Sequence, residues 1–184
     1  MKIVQPTEEY LASYRSALLH AISLGAAGHL VEAKDELLEI DGDPEAFLAK
    51  QEDRQALSGD VKLPDGSFVP RLPGFTRWMW DGEACGSINF RWQKGSTGLP
   101  PHCLGHIGYE VFPWKRHKGY ASEALKQILP EAVALGMPFV ELTTDVDNYF
   151  SQRVIQKNGG ILYEKFVKPQ SSGGGDGFRY RIFL

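Results

Sequence analysis

Tyr10, Leu11, Tyr14, Leu18 and Ile22 recur at three- and four-residue steps, the spacing that lines one face of a helix. The pattern predicts a helix ending near residue 24. Pro6, Thr7, Glu8 and Glu9 open it, with Thr7 as the cap and acids in the first turn, where the helix dipole favours them. Lys2 to Gln5 form a short strand ahead of it. Gly25 and Gly28 interrupt the pattern, and a second helical stretch is expected over 32–38. Asp43 and Pro44 suit a cap and a first helical residue, starting a third helix to which Phe47, Leu48 and Leu57 are assigned. Acids recur from 32 to 53; they could recognise a cationic amine, but a solvated helix face is the expected reading.

From Phe75 the chain turns to β-branched and aromatic runs. Residues 75–80 and 84–92 flank Asp81-Gly82-Glu83, a hairpin signal. Trp78, Trp80, Phe90 and Trp92 sit on it and could cage an acceptor; packing on the sheet is expected instead. Residues 106–112 form a strand. A helix follows from about 119 to 135, with Gly136 as C-cap and Pro138 blocking continuation. Strands are predicted at 139–144, 161–167 and 178–184, with a helix at 151–157. The turn-rich segment 63–74, which holds Pro64, Asp65 and Gly66, is expected near the acceptor entrance. Segments 93–103 and 170–177 read as flexible connectors. Strands mixed with helices, and no repeats, make an α+β fold (a mixed α/β sheet) of one domain.

A chain of 184 residues with 42% hydrophobic and 23% charged content is ordinary for a soluble globular domain. A net charge of −3 gives no general attraction to nucleic acid or to anionic membranes. No apolar run approaches membrane-spanning length. Cys85 and Cys103 have no metal-ligand spacing and no disulfide framework, so no metal is expected and a cytoplasmic location is the simplest.

The chemistry concentrates at 108–121. Gly108 to Phe112 is a strand that Pro113 ends. Lys115, Arg116, His117 and Lys118 make a basic loop, and Gly119 permits a tight turn into a helix. The first N–H groups of a helix have no partners within it, so they, the helix dipole and the loop cations form a site for a phosphate or pyrophosphate. The nucleotidase run Gly-x-x-x-x-Gly-Lys-Ser/Thr and the dinucleotide run Gly-x-Gly-x-x-Gly are both absent.

Arg116-His117-Lys118-Gly119-Tyr120-Ala121 matches an Arg/Gln-x-x-Gly-x-Gly/Ala signature, and Val111-Phe112-Pro113 matches the Val-x-Pro that precedes it. Asn148, Ser151 and the Asn158-Gly159 turn continue the match downstream, and Gly160 departs from it, standing where the pattern carries Phe. In these features the chain resembles the GNAT superfamily of acetyl-CoA-dependent N-acetyltransferases. The resemblance is tight over 106–160 and loose elsewhere. It implies a mainly antiparallel sheet splayed between its fourth strand (106–112) and fifth strand (139–144). It also implies acceptor-side helices and a loop at 1–74, a cofactor-binding core at 75–160 and C-terminal strands at 161–184.

The resemblance further implies that acetyl-CoA is the acyl donor, with its pantetheine arm on the backbone of Tyr109, Glu110 and Val111. Amides from Arg116, His117, Lys118, Gly119, Tyr120 and Ala121 would hold its pyrophosphate. Asn148 would bond the arm, and Ser151 would lie near it. The implied reaction is direct attack by a neutral amine of a small or amino-acid-like acceptor. Glu110 would be the base, or else an ordinary sheet-edge glutamate, and the Val111 N–H would stabilise the oxyanion. His106 reads as structural. Ile155 stands where many relatives carry a thiolate-protonating Tyr, which keeps a non-catalytic acyl-CoA sensor as the alternative; Tyr149 and Tyr163 are other phenols. The C-terminal strands are where a homodimer could form.

Overall fold

The computed structural model describes residues 1–25, 30–63 and 66–184. Gly28, Pro64 and Asp65, expected in a helix break and a turn, lie outside them. The acid-rich opening of the chain gives β1 (Lys2–Val4) and α1 (Glu8–Ser23), followed by α2 (Leu30–Gly42) and α3 (Pro44–Lys50). Asp43 caps α3 by accepting from the Ala46 N–H at 2.9 Å. Thr7 has the extended backbone of a cap, but its side chain makes no capping bond. Leu57 lies beyond α3 and is exposed, so it is not part of that helix's buried face.

Short strands β2 (Glu52–Asp53), β3 (Val61–Lys62) and β4 (Phe68–Val69) precede the main hairpin, β5 (Gly74–Trp80) and β6 (Ala84–Arg91). Then come β7 (Ile107–Val111), a 3-10 turn (Pro113–Lys115), α4 (Tyr120–Ala134), β8 (Phe139–Asp145), α5 (Tyr149–Lys157), β9 (Ile161–Val167) and β10 (Asp176–Phe183). The connector expected at 170–177 is partly ordered: it holds a 3-10 turn at Gln170–Ser172 and the first residues of β10.

One sheet runs β1-β5-β6-β7, with β2 on β5; a second runs β8-β10-β9; β3 and β4 pair separately. All paired strands are antiparallel. The interruption falls between β7 and β8, the expected fourth and fifth strands. A backbone bond joins them at one end, His106 N–H to Glu141 O at 2.8 Å.

Helices cover both faces. Ala124, Leu125 and Ile128 of α4 and Ile155 of α5 pack on one face with Met79, Ile88, Val140 and Leu142. Tyr14 and Leu18 of α1, Leu37 and Ile40 of α2 and Phe47 of α3 pack on the other with Trp78 and Phe112. The aromatic residues of the hairpin are packing residues: Trp78 and Phe90 are buried, Trp78 stacks on Tyr14 at 4.1 Å, and Trp80 lies against Tyr10. No helix among the described residues is long and apolar enough to cross a membrane.

Candidate active site

Gly119 adopts φ +79° and His117 adopts φ +61°, so the chain reverses twice within three residues before α4 begins. Glycine takes this left-handed backbone freely; histidine takes it at some cost. The outcome is a run of exposed donors. Among the described residues, the N–H groups of His117, Lys118, Gly119, Tyr120, Ala121 and Ser122 have no protein acceptor. The next, Glu123 N–H, returns to Gly119 O at 3.0 Å. Successive bare amides at a helix start form an anion-binding concavity. Arg116 N–H instead reaches Pro113 O at 3.4 Å, so the run starts one residue later than expected.

Beside this turn the sheet opens. Arg91 N–H donates to His106 O, and Phe112 N–H donates to Cys85 O. With the register between them unbroken, the hydrogen-bonded pairs are 91/106, 89/108, 87/110 and 85/112. The peptide groups of Ile107, Tyr109 and Val111 therefore turn away from β6 and toward the split. The Val111 carbonyl is taken by Arg116 Nε at 3.0 Å, which leaves its N–H facing the opening. Glu110 has its own N–H and C=O directed at β6, so what it offers a site is its side chain. The residues fit a thioester cofactor: bare amides for a diphosphate, and a bare strand edge for an amide-rich arm.

A cavity of about 530 Å³ follows this opening, lined by Tyr109, Val111, His117, Gly119, Asn148 and Ser151 among others. The Asn148 side chain caps α5, its Oδ1 accepting from Ser151 N–H at 3.1 Å. Tyr109 donates to Ser151 O at 3.3 Å across the split, and burial pushes its pKa up to about 12. Phe150, Arg153 and Lys157 also line the cavity, and Phe150 meets His117 edge to face at 4.9 Å. Arg153 and Lys157 are four apart on one helix, a spacing that would have found them.

On the opposite face of β7 lies a second cavity, about 360 Å³, lined by Tyr14, Glu36, Ser87, Asn89, Arg91 and Glu110 among others. Tyr109 and Glu110 line both cavities, so the two meet at this point of the strand. Tyr14 donates to Glu36 at 2.7 Å; burial, then the charge of Glu36, raises its pKa well above the usual value. Other acids of the 32–53 stretch are paired: Glu39 with Lys50, Asp41 with Arg15, and Glu52 with Arg54 and Arg77. Among the described acids of that stretch, Glu36 is the one that lines this cavity. The loop 63–74 lines a third cavity, of about 450 Å³, through Leu63, Val69, Pro70, Arg71 and Leu72.

The basic loop is less cationic than its sequence suggests. Lys115 is buried, with Nζ 2.9 Å from both Asp81 oxygens and 2.7 Å from Glu83. It ties the hairpin turn to the anion loop and is neutralised there. Tyr120 also donates to Asp81, at 2.6 Å. Burial alone would raise the pKa of Asp81, but the bonds from Lys115 and Tyr120 outweigh it and hold the carboxyl well below its usual range. Lys118 is exposed and outside the cavity lining, so its contribution is its backbone.

His106 is fully buried; Nδ1 accepts from Glu141 N–H at 2.9 Å, and Nε2 has no partner among the described residues. Burial lowers its pKa. It is a structural pin. Cys85 is buried and its pKa is pushed up to about 12, first by burial, which removes it as a thiolate nucleophile. Ile155 belongs to the core, and a Cβ on Gly160 would collide with it. The two departures from the family pattern, at 155 and 160, are thus one packing arrangement.

A family model described as an acetyltransferase (GNAT) domain matches residues 30–161. No curated protein sequence matches the chain. Solved structures of similar fold include the microcin C7 self-immunity acetyltransferase MccE in complex with acetyl-CoA and AMP. It has a TM-score of 0.61 at 12% identity, covering 99% of this chain and 91% of that one. An acetyl transferase from Salmonella typhimurium that modifies the N-terminal serine of ribosomal protein L7/L12 has a TM-score of 0.60 at 13% identity, covering 99% and 94%. The acetyltransferase yncA from the same organism, with acetyl-CoA, has a TM-score of 0.56 at 14% identity, covering 100% and 93%. At such identities the likeness is one of fold.

Proposed function

The chain belongs to the GNAT acetyltransferase family, and from that premise we propose that it transfers the acetyl group of acetyl-CoA to the amine of a small, amino-acid-like acceptor. The observation that carries the reading is the run of bare N–H groups from His117 to Ser122 beside a strand edge that no strand among the described residues covers. Acetyl-CoA supplies an acetyl group activated as a thioester. The sensor alternative gives way, because the family is one of acetyltransferases.

The amides of His117, Lys118, Gly119, Tyr120 and Ala121 hold the diphosphate, with Arg116, Arg153 and Lys157 adding positive charge. The outward peptide groups of Tyr109 and Val111 bond the arm, joined by Asn148 through its Nδ2 and by the Ser151 end of α5. Glu110 takes a proton from the acceptor's ammonium, directly or through water, and the neutral amine then attacks the thioester carbonyl. The Val111 N–H donates to the carbonyl oxygen as negative charge develops there. Tyr109 keeps its proton at working pH and stays a neutral donor to Ser151 O inside the cleft, and the CoA sulfur leaves as the thiolate, which a thiol of pKa about 8.5 tolerates.

One structural neighbour modifies a protein N-terminal serine, and another is seen in complex with acetyl-CoA and AMP. The small-acceptor reading is therefore supported by this chain's own 360 Å³ cavity and its acids. We keep the cytoplasm as its compartment on the strength of two free cysteines. We assign a homodimer contact to β9, where Ile161, Leu162, Tyr163 and Val167 face solvent; sedimentation at micromolar concentration tests it. Thiol release from acetyl-CoA across a panel of primary amines tests the transfer. Turnover with at least one amine is expected; bound acetyl-CoA with no turnover on any of them contradicts it.

A further inference from the structure

What the acceptor carries besides its amine is written on the same face of the sheet as Glu110; the inference rests on the transfer reading above. Three rows cross β6 and β7 on this face: Ser87 opposite Glu110, Asn89 opposite Gly108, and Arg91 opposite His106. Adjacent rows are two residues, or about 7 Å, apart. In the middle row Gly108 has no side chain, and the Asn89–Arg91 pair folds over it. Arg91 Nη2 donates to Asn89 Oδ1 at 2.7 Å. A Cβ on Gly108 would stand 3.2 Å from Asn89 Oδ1 and 3.3 Å from Arg91 Nη2. The guanidinium is thereby drawn back to one row from Glu110.

Arg91 is a cation held in place with no carboxylate partner among the described residues. Its neighbours in the adjoining cavity differ: Lys50 is paired with Glu39, and Arg71 lies 3.9 Å from Asp53. Asn89 and Arg91 line both that cavity and the one containing Glu110, so they stand where the two join. A half-buried guanidinium whose remaining donors face a cavity is suited to a carboxylate.

We infer that Arg91 receives a carboxylate of the acceptor, held about 7 Å from the amine that Glu110 deprotonates. That separation is about two extended residues. The acceptor class is then a dipeptide or an ω-amino acid of similar span. A glycine-sized amino acid is too short, and a simple alkylamine lacks the anion.

Steady-state thiol release with straight-chain ω-amino acids of two to six carbons, glycylglycine and length-matched alkylamines tests this, with the wild type, Arg91→Gln and Asn89→Ala. The wild type is expected to favour the longer amino acids and glycylglycine over matched alkylamines by about tenfold or more in kcat/KM. Arg91→Gln brings that ratio to about one, and Asn89→Ala, which frees the guanidinium, lowers it part of the way. Calorimetric titration of 5-aminopentanoate into protein with CoA reads the same contact without turnover, and thermal midpoints report folding of each variant. A wild-type ratio near one, or a ratio and affinity that survive Arg91→Gln, overturns the inference. Failure of acetyl-CoA itself to bind counts against the transfer reading, and the titration still decides Arg91.

Discussion

His106 and Glu141 exchange two hydrogen bonds across the closed end of the split. The His106 N–H donates to Glu141 O at 2.8 Å, and the Glu141 N–H donates to His106 Nδ1 at 2.9 Å. Gly105 sits next to this pin, where a Cβ would lie 3.1 Å from Glu141 O. Past the pin the strands separate into different sheets. The opening that exposes Tyr109 and Val111 is therefore fixed from its base, by an imidazole acting as part of the backbone ladder.

Replacing His106 by Leu leaves the Glu141 N–H buried without an acceptor, at a cost of about 1–3 kcal/mol. His106→Asn, whose carbonyl can stand in for Nδ1, recovers part of it. The burial that lowers the His106 pKa also sets a pH dependence. A depressed folded pKa means stability is full above the unfolded value of about 6.5 and falls as pH drops through it toward the folded one. Urea midpoints between pH 5 and 8 should fall toward acid in the wild type and flatten in His106→Asn.

Gly86 pairs with Val111 at φ +150°, and a Cβ there would collide with Glu110 O and stand 2.8 Å from Val111 Cα. Gly86→Ala must push β6 from β7 at the two residues assigned to catalysis. A loss of about 1–3 kcal/mol is expected, with a lower kcat. Thermal midpoints and thiol release measure the two effects.

Asp81 joins Lys115 and Tyr120 beneath the anion loop. Asp81→Ala leaves the buried ammonium with Glu83 alone and should cost about 3 kcal/mol. The depressed Asp81 pKa gives stability that is complete above the unfolded value near pH 4 and lost as pH falls through the folded value. Acid unfolding curves from pH 5 to 2 should be less steep for Asp81→Asn than for the wild type.

Glu110→Gln keeps shape and removes the proposed base. Acetyl-CoA affinity should stay within about twofold while kcat/KM falls by about 10²–10⁴. A weakened cofactor affinity with kcat intact would assign Glu110 to binding instead. Calorimetry and thiol release on the same preparation separate the two.

Much of this was readable from the chain because the signals are local. Pro113 ends a strand, Gly119 turns it, and Asp81-Gly82 closes a hairpin; each needs only its neighbours. What escaped depends on distant partners. Lys115 reads as a loop cation until the hairpin turn, 34 residues earlier, brings Asp81 to it. Glu36 reads as one more solvated acid until α1 presents Tyr14. The offer made by each residue of β7 is set by register against β6, which divides Tyr109 and Val111 from Glu110 and is invisible in composition.

The turn before α4 is the proposed seat of the acetyl-CoA diphosphate, and the proposed transfer depends on it. Gly119 has φ +79°, and nothing lies within 4 Å of where its Cβ would be, so a side chain placed there projects into open space at the bare amides. Isothermal titration of acetyl-CoA into the wild type and Gly119→Glu tests it most directly. We predict saturable binding to the wild type and none detectable to the variant, with the variant still folded by its thermal transition. Absence of wild-type binding at high micromolar acetyl-CoA, or equal affinity in the variant, would contradict the account.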